Sequence, residues 1–261
     1  LLEIISPARH HSTAAHETSL TSIETDDVSL LFKFFDGFFL YGFFLAFAEE
    51  DLFDWFDPQK RNTSKRDFEW YEALWKRLAV SANQDRVIPK LFSLSTNIPA
   101  FQTHFPDSKI LYMVRDPLNV LPSGLSLVTG ILDKRFGFWS LDENIRERFI
   151  KRLYNAFVEL LKRFHEDWTN GSIDKTKVFI VKYDRIMTDF DELMNEILTF
   201  TGITPTDEMM IEIKNTADRQ RQYTSAHKYN LEKFGLNEDQ IRSDCSFIYD
   251  TFLNSVNNEV D

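Results

Sequence analysis

Apolar runs and helical periodicity divide the chain into alternating helices and strands. Two continuous apolar runs of strand length, at 109–114 (KILYMV) and 177–183 (KVFIVKY), are typical of strands buried on both faces. Between them, residues 143–170 place apolar side chains every three or four positions, which predicts one long amphipathic helix. A shorter run at 86–92 predicts a further strand. This alternation predicts an α/β fold with a parallel sheet and right-handed crossovers.

Cap residues and periodicity predict further helices around these strands. Asp116-Pro117 fits an N-cap followed by proline at the first helical position, and Gly130 fits the end of that helix. The aromatic segment 134–140 is predicted to be a loop that folds over a cleft. The remaining predicted helices lie at 28–47, 63–78, 98–104, 190–201, 207–216 and 237–253.

The segment 28–47 (VSLLFKFFDGFFLYGFFLAF) concentrates many of the 25 phenylalanines and is near the length of a membrane span. A spanning helix would bury Lys33 and Asp36 in lipid, which is costly. The pattern therefore favours a buried or groove-lining helix over a span, and it leaves a peripheral membrane contact through helix 28–47 open. We expect a cytoplasmic protein that can associate with a membrane in this way.

Composition limits the class of function. The 261 residues and the hydrophobic content of 43% suit one large domain with a real core. A net charge of −11 argues against a nucleic-acid-binding surface, which needs clustered Lys and Arg. The one cysteine, Cys245, excludes an intramolecular disulfide. His10, His11 and His16 have no further ligands at metal-binding spacing, so we expect no metal site.

The stretch 109–124 (KILYMVRDPLNVLPSG) carries the clearest candidate chemistry. Arg115 follows the strand at its carboxyl end, a helix N-terminus comes next, and Ser123 lies about two turns into that helix. A guanidinium, a hydroxyl and helix N-terminal N–H groups around one point suit a phosphate. The alternative is an ordinary strand-to-helix junction in which Arg115 pairs with a carboxylate such as Asp116.

Arg115-Asp116-Pro117, with Ser123 eight residues after the arginine, resembles the 3′-phosphate-binding element of sulfotransferases that use 3′-phosphoadenosine-5′-phosphosulfate (PAPS). The resemblance implies that Arg115 and Ser123 bind the 3′-phosphate of the donor. It also implies a fold similar to P-loop nucleotide-binding proteins, with three layers, helices on both faces of a parallel sheet, and helical insertions. The implied donor is PAPS, with no metal.

Weaker similarities accompany this element between Arg86 and Tyr249. Lys90 falls where the family has an active-site lysine, which implies that it stabilises the charge on the leaving 5′-phosphate. The family's histidine base lies two residues later, where this chain has Phe92, so the catalytic base is unassigned. Tyr183 matches a position near the adenine.

The densest basic segment of the chain, at 219–229, resembles another block of the bacterial enzymes, and it is followed by a Phe-Gly-Leu motif. Arg219, Arg221 and His227 are therefore implied to close over a nucleotide phosphate. A solvated connector would have a similar composition.

The family's Gly-rich loop, which binds the 5′-phosphosulfate, has no counterpart in the chain. Because the sequence begins with Leu1, we expect a single sulfotransferase-like domain truncated at its N-terminus. Within it, 1–80 would form a mostly helical acceptor side and 86–253 a nucleotide-binding core.

The resemblance implies transfer of a sulfuryl group from PAPS to a hydroxyl or amine by in-line displacement. The acceptor is a small molecule, a glycan or a lipid-linked compound. Two alternatives remain open. A P-loop nucleotide kinase would share the sheet, although its strands would end in Asp rather than in Arg115 and Tyr183. A non-catalytic scaffold that lost the donor loop is the other.

Overall fold

In the part of the chain that the structure describes, a parallel pair of strands forms the sheet. The computed structural model describes residues 26–222 and 230–254. Strand β1 (Ile110–Val114) pairs with β2 (Val178–Lys182) in a register that runs from Ile110 opposite Val178 to Val114 opposite Lys182. The strands predicted at 109–114 and 177–183 are confirmed, and both end at the same edge of the sheet. The prediction that β1 is buried on both faces is wrong, because Leu111 is 36% exposed and Met113 51%. Any side chain that directly follows either strand therefore lies at this edge.

Helices surround the strands on the described ranges. The helices that precede β1 are α1 (Val28–Phe34), α2 (Phe38–Phe43), α3 (Phe53–Phe56), α4 (Ser64–Ala82) and α5 (Ile98–His104). Between the strands lie α6 (Pro117–Phe136) and α7 (Glu143–Thr169). After β2 come α8 (Tyr183–Thr188), α9 (Phe190–Thr201), α10 (Asp207–Gln222), α11 (Glu238–Asp244), α12 (Ser246–Ile248) and a π-helical turn (Tyr249–Leu253).

Helices pack on both faces of the sheet, as the predicted three-layer fold requires. On one face Tyr112 of β1 stacks on Phe164 of α7, with ring centroids 3.3 Å apart. On the other face Phe179 of β2 contacts Phe200 of α9 at 5.5 Å. The α/β fold with a helix-covered parallel sheet is confirmed.

The largest core cluster lies where α6 and α7 pack together. Leu121, Leu125 and Leu153 are fully buried there. Gly124 permits this close approach, because a Cβ atom at its position would lie 2.8 Å from the ring of Phe157. This packing fixes α6, and with it the turn that enters α6 from β1.

The predicted strand at 86–92 is wrong. This segment is irregular in the structure and leads into a short 3₁₀ turn at Ser93–Thr96. The side chain of Ile88 is 83% exposed, and Pro89 has no N–H to donate to a neighbouring strand. An apolar run of strand length without a strand beside it gains no ladder of hydrogen bonds.

The prediction of one helix over 28–47 is also wrong, because the chain breaks between α1 and α2. Phe35 and Gly37 both have positive φ values, 50° and 86°. Asp36 lies buried between them and pairs with Arg61 at 2.5 Å and with Arg66 at 2.8 Å. Burial raises the pKa of Asp36, but hydrogen bonds from Arg61, the Gly37 N–H and Arg66 outweigh it and lower the pKa. Within the described ranges no helix is long and apolar enough to cross a bilayer.

Helix α6 runs past its predicted end. Gly130 is exposed inside the helix, and Gly137 ends it with a φ of 64°. The segment 134–140 is therefore not a loop over a cleft. Phe138 is completely buried in the core and contacts Trp139 and Phe149.

Two further boundaries differ from the predictions. Helix α10 continues to Gln222, so the basic segment begins inside a helix instead of a loop. The predicted helix 237–253 is divided into α11, α12 and the π-turn, with the division at Cys245. Residues 223–229, which include His227, and the histidines near the N-terminus lie outside the described residues.

Candidate functional site

A cavity of about 350 Å³ lies at the edge of the sheet where β1 and β2 end. The residues that directly follow the two strands lie side by side there, because the strands are parallel and in register. Residues of the C-terminal segment complete its lining. The cavity is lined by Val114, Arg115, Asp116, Lys182, Tyr183, Asp184, Arg185, Thr188, Arg242, Tyr249, Leu253 and Asn254.

Arg115 and Tyr183 contact each other in the lining of this cavity. The guanidinium carbon of Arg115 lies 4.1 Å from the centroid of the Tyr183 ring, a cation–π contact. No carboxylate or carbonyl of the described residues accepts a hydrogen bond from Arg115, and the predicted alternative of an Arg115–Asp116 pair is not formed. The ring covers the face of the guanidinium and leaves its N–H edge for a ligand.

Asp116 caps α6 and changes how an anion can bind. Its carboxylate Oδ1 accepts a hydrogen bond from the Leu118 N–H at 2.9 Å. The N–H groups of Asn119 and Val120 donate to the Asp116 carbonyl at 2.8 and 3.1 Å. These first-turn N–H groups are therefore already bonded. The first turn of α6 therefore has no free N–H group among Leu118, Asn119 and Val120 for an anion.

The lining of this cavity carries more basic than acidic side chains, although the protein is acidic. Four basic side chains line it (Arg115, Lys182, Arg185 and Arg242) against two acidic ones (Asp116 and Asp184). Two of these cations are bound to carboxylates, because Arg185 pairs with Asp189 and Glu196, and Arg242 pairs with Glu238. The Arg115 guanidinium differs from those of Arg185 and Arg242, because no carboxylate of the described residues pairs with it.

A second cavity, of about 250 Å³, lies at α7 and differs in this respect. Arg152 donates to the main-chain carbonyls of Ala46, Ala48 and Glu49, and Arg163 pairs with Asp57 at 2.9 Å. Its guanidinium groups are engaged in holding the segment that contains α3, so it is the weaker candidate for a ligand site.

Ser123 lies about two turns into α6, as predicted, but it is not a lining residue of the cavity. It is half-buried, and its hydroxyl has no hydrogen-bond partner among the described residues. Its neighbour Gly124 packs closely on Phe157, and this packing fixes the main chain at Ser123. Its role as a phosphate ligand stays a prediction.

Lys90 lies outside the cavity. Its side chain is 65% exposed, and the ammonium group pairs with Asp26 at 3.1 Å. The irregular segment 86–92 therefore presents this lysine at the N-terminal end of α1 instead of at a strand end. Its assignment to the leaving-group charge stays a prediction.

Arg219 and Arg221 lie in the last turn of α10 and are bound by acidic neighbours. Arg219 pairs with Glu212 at 2.5 Å, and Arg221 pairs with Asp191 and Asp218. Neither lines the cavity. Their predicted phosphate contacts, like that of His227, stay predictions.

Sequence reasoning missed Arg242 and Tyr249, which line the cavity from the C-terminal segment. The Arg242 guanidinium lies 5.3 Å from the centroid of the Tyr249 ring. In the sequence both residues fall in a helical pattern with no cluster or motif, so no local signal marks them. Within the described ranges no group of three or more metal-binding side chains comes together.

Comparison with known proteins agrees with this fold. The family model described as Sulfotransferase family matches residues 45–208, more than half of the 261 residues. The crystal structure of sulfotransferase STF9 from Mycobacterium avium has the same fold, with a TM-score of 0.64 and 18% sequence identity. That match covers 79% of this chain and 51% of the mycobacterial chain, so this chain spans about half its length. No curated protein matches the chain in sequence.

Proposed function

The chain belongs to the sulfotransferase family, and we propose that it transfers a sulfuryl group from PAPS to a hydroxyl or amine acceptor. Family and fold together support a sulfotransferase activity. The observation that carries the finer proposal is Arg115, a guanidinium stacked on Tyr183 and not bound to any carboxylate of the described chain, at the cationic edge of the sheet.

The 3′-phosphate of the donor is the group we assign to Arg115. A planar guanidinium binds two phosphate oxygens at once through its N–H edge, which the Tyr183 stack leaves accessible. The cavity volume of about 350 Å³ falls at the lower end of typical ligand sites. We assign a second contact to the hydroxyl of Ser123, and a contact to the nucleotide base to Tyr183.

The reaction we propose is a direct displacement at sulfur. The acceptor oxygen or nitrogen forms the new bond to sulfur while the bond from sulfur to the bridging oxygen of the 5′-phosphate breaks. The acceptor proton goes to a base that is not assigned, and 3′,5′-ADP leaves. Lys90 would stabilise the charge on the leaving phosphate, for which its ammonium group must separate from Asp26.

Our proposal for the acceptor class is supported by the exposed aromatic side chains at α1 and α2. Phe32 is 79% exposed, Phe35 68% and Phe44 45%. Such a group of exposed aromatic side chains favours an apolar or lipid-linked acceptor and a peripheral membrane contact over a fully soluble sugar. Phe138 does not support this proposal, because it is buried in the core, whereas Phe136 at the end of α6 is 68% exposed.

Calorimetric titration of 3′,5′-ADP into the 261-residue chain tests the proposal. The variant Arg115→Ala should bind 3′,5′-ADP at least tenfold more weakly, since a charge-assisted hydrogen bond contributes about 1.5–3 kcal/mol. Ser123→Ala should weaken binding by a smaller factor. The matched control is Arg77→Ala, which removes the same charge from an exposed position on α4. 5′-AMP, which lacks the 3′-phosphate, should bind far more weakly to the wild-type protein.

The other outcomes favour the alternatives. If ATP binds and 3′,5′-ADP does not, the site serves a phosphotransferase. If neither nucleotide binds, or if Arg115→Ala binds 3′,5′-ADP as tightly as Arg77→Ala, the PAPS proposal is wrong and a non-catalytic scaffold becomes the better interpretation.

A further inference from the structure

The last described helical segment is a π-turn that forms one wall of the cavity. The N–H of Asn254 donates to the carbonyl of Tyr249 at 2.7 Å, which is the five-residue spacing of a π-helix. Tyr249, Leu253 and Asn254 all line the cavity. Single π-turns are rare and recur at functional sites, where they redirect side chains that a regular helix would place elsewhere.

The core side of the π-turn is anchored on α7. Phe252 is buried and lies 6.0 Å from the rings of both Phe164 and Trp168. The hydroxyl of Thr251 lies 2.9 Å from Nε2 of His165. These contacts fix the π-turn independently of the cavity, so Tyr249 projects into the cavity from a rigid support.

From this support Tyr249 reaches the turn between β1 and α6. Its hydroxyl donates a hydrogen bond to Oδ1 of Asp116 at 2.5 Å, across 133 positions of the sequence. The same Oδ1 accepts the Leu118 N–H that caps α6. Burial and the Asp116 carboxylate raise the pKa of Tyr249, so the phenol stays protonated and donates at neutral pH. One oxygen of Asp116 thus joins the C-terminal segment to the first turn of α6.

Asp116 directly follows Arg115, so this bond has two consequences for an anion at the guanidinium. It fixes the main chain from which Arg115 projects. It also provides Asp116 with a second hydrogen-bond donor on one oxygen, which offsets the repulsion between a carboxylate and a phosphate that share a cavity. A carboxylate at an anion site is tolerated better when such donors face it.

We propose that Tyr249 is a positioning residue of the anion site, which acts through Asp116 to hold Arg115 in its binding geometry. The inference rests on the proposed function, because it takes Arg115 to bind a phosphate of the nucleotide. It assigns to the C-terminal segment, beyond the 45–208 span of the family match, a part in nucleotide binding.

The test compares two tyrosines with the same kind of bond. Tyr249→Phe removes only the hydroxyl that binds Asp116. The matched control is Tyr154→Phe, because the buried Tyr154 donates to Asp244 of α11 at 2.7 Å and neither residue lines the cavity. Both variants lose one Tyr–Asp hydrogen bond that holds the C-terminal segment. Calorimetry with 3′,5′-ADP should give about tenfold weaker binding for Tyr249→Phe and no change for Tyr154→Phe.

Hydrogen exchange of the capped amides provides a readout that needs no nucleotide. In Tyr249→Phe the N–H of Leu118 and its neighbours in the first turn of α6 should exchange several-fold faster, because Asp116 loses a partner. The same amides should be unchanged in Tyr154→Phe. A third protein carries both Asp116→Asn and Tyr249→Phe. It should bind 3′,5′-ADP more tightly than Tyr249→Phe alone, because the negative charge of the Asp116 carboxylate is removed.

The two proposals fail in different ways. If wild-type protein does not bind 3′,5′-ADP, the proposed function is wrong, and the exchange rates alone then decide whether Tyr249 fixes the turn. If Tyr249→Phe exchanges no faster than Tyr154→Phe, or if it binds 3′,5′-ADP as tightly as wild type, the positioning role is overturned.

Discussion

The Arg115 guanidinium carbon lies 4.1 Å from the centroid of the Tyr183 ring, although the two residues are 68 positions apart in the sequence. Each directly follows a strand, and the parallel register of Val114 with Lys182 brings them together. The stack takes up one face of the guanidinium and holds it at the cavity without neutralising its charge. A cation that contacts a ring rather than a carboxylate keeps its charge for an anion.

Replacement of Tyr183 tests whether this stack matters for binding. Tyr183→Ala should weaken 3′,5′-ADP binding by about fivefold, because a partly desolvated cation–π contact contributes about 1 kcal/mol and the arginine side chain gains freedom without it. Tyr183→Phe keeps the ring and should bind as wild type does. Calorimetric titration measures both. Equal binding by all three proteins would show that the stack does not orient Arg115.

The packing of α6 on α7 makes a prediction about stability. Gly124→Ala should lower the free energy of unfolding by about 1–3 kcal/mol, because the added Cβ would lie 2.8 Å from the buried Phe157 ring. Urea denaturation followed by circular dichroism measures the change.

The control lies in the same helix. Gly130 is exposed, and a Cβ there would meet nothing within 4 Å. Gly130→Ala should raise the free energy of unfolding by about 0.5–1 kcal/mol, since alanine favours a helix more than glycine does. A Gly124→Ala protein as stable as Gly130→Ala would contradict the close contact between α6 and α7.

The buried Asp27 should make the stability of the protein depend on pH. Its side chain is buried before α1, and although hydrogen bonds from Ser93 lower its pKa, burial dominates and raises it. Because the folded pKa lies above the unfolded value of about 3.9, the contribution of Asp27 to stability is full below that value and is lost as the pH rises through the folded pKa.

The variant Asp27→Asn keeps an acceptor for Ser93 and carries no charge. As the pH rises from 4 to 8, the free energy of unfolding of the variant should therefore increase relative to that of wild type. The increase should be about 1.4 kcal/mol for each unit by which the pKa of Asp27 is raised. Denaturant titrations across this range provide the comparison. Asp85→Asn, at an exposed position, should run parallel to wild type. If Asp27→Asn also runs parallel to wild type, Asp27 is not a buried carboxylate with a raised pKa.

The sequence correctly predicted elements that depend on residues close together along the chain. The two strands, the helix α7 and the N-cap at Asp116 were all correctly located, because continuous apolar runs, helical periodicity and a capping pair depend on residues near one another. Arg115 and Tyr183 were placed at strand ends by the same reasoning. Their direct contact needed only the additional knowledge that the strands are parallel neighbours.

Elements that depend on distant partners were predicted wrongly. The Phe-rich segment breaks at Asp36 because arginines 25 and 30 positions later bind that carboxylate. The run at 86–92 has the composition of a strand, but no neighbouring strand bonds to it in the described chain. Gly130 did not end α6. The free energy that a glycine costs inside a helix is smaller than the free energy gained from the contacts that α6 makes beyond it.

The sequence by itself determined the family and the two parallel strands. It also determined that Arg115 directly follows β1 and so lies at the edge of the sheet. Only the tertiary structure decided that Arg115 has a ring rather than a carboxylate as its partner, that Lys90 lies at Asp26 outside the cavity, and that Tyr249 bonds to Asp116. The reason is physical. Secondary structure follows from side chains a few positions apart, whereas the neighbours of a charge are set by packing between segments that the sequence keeps far apart.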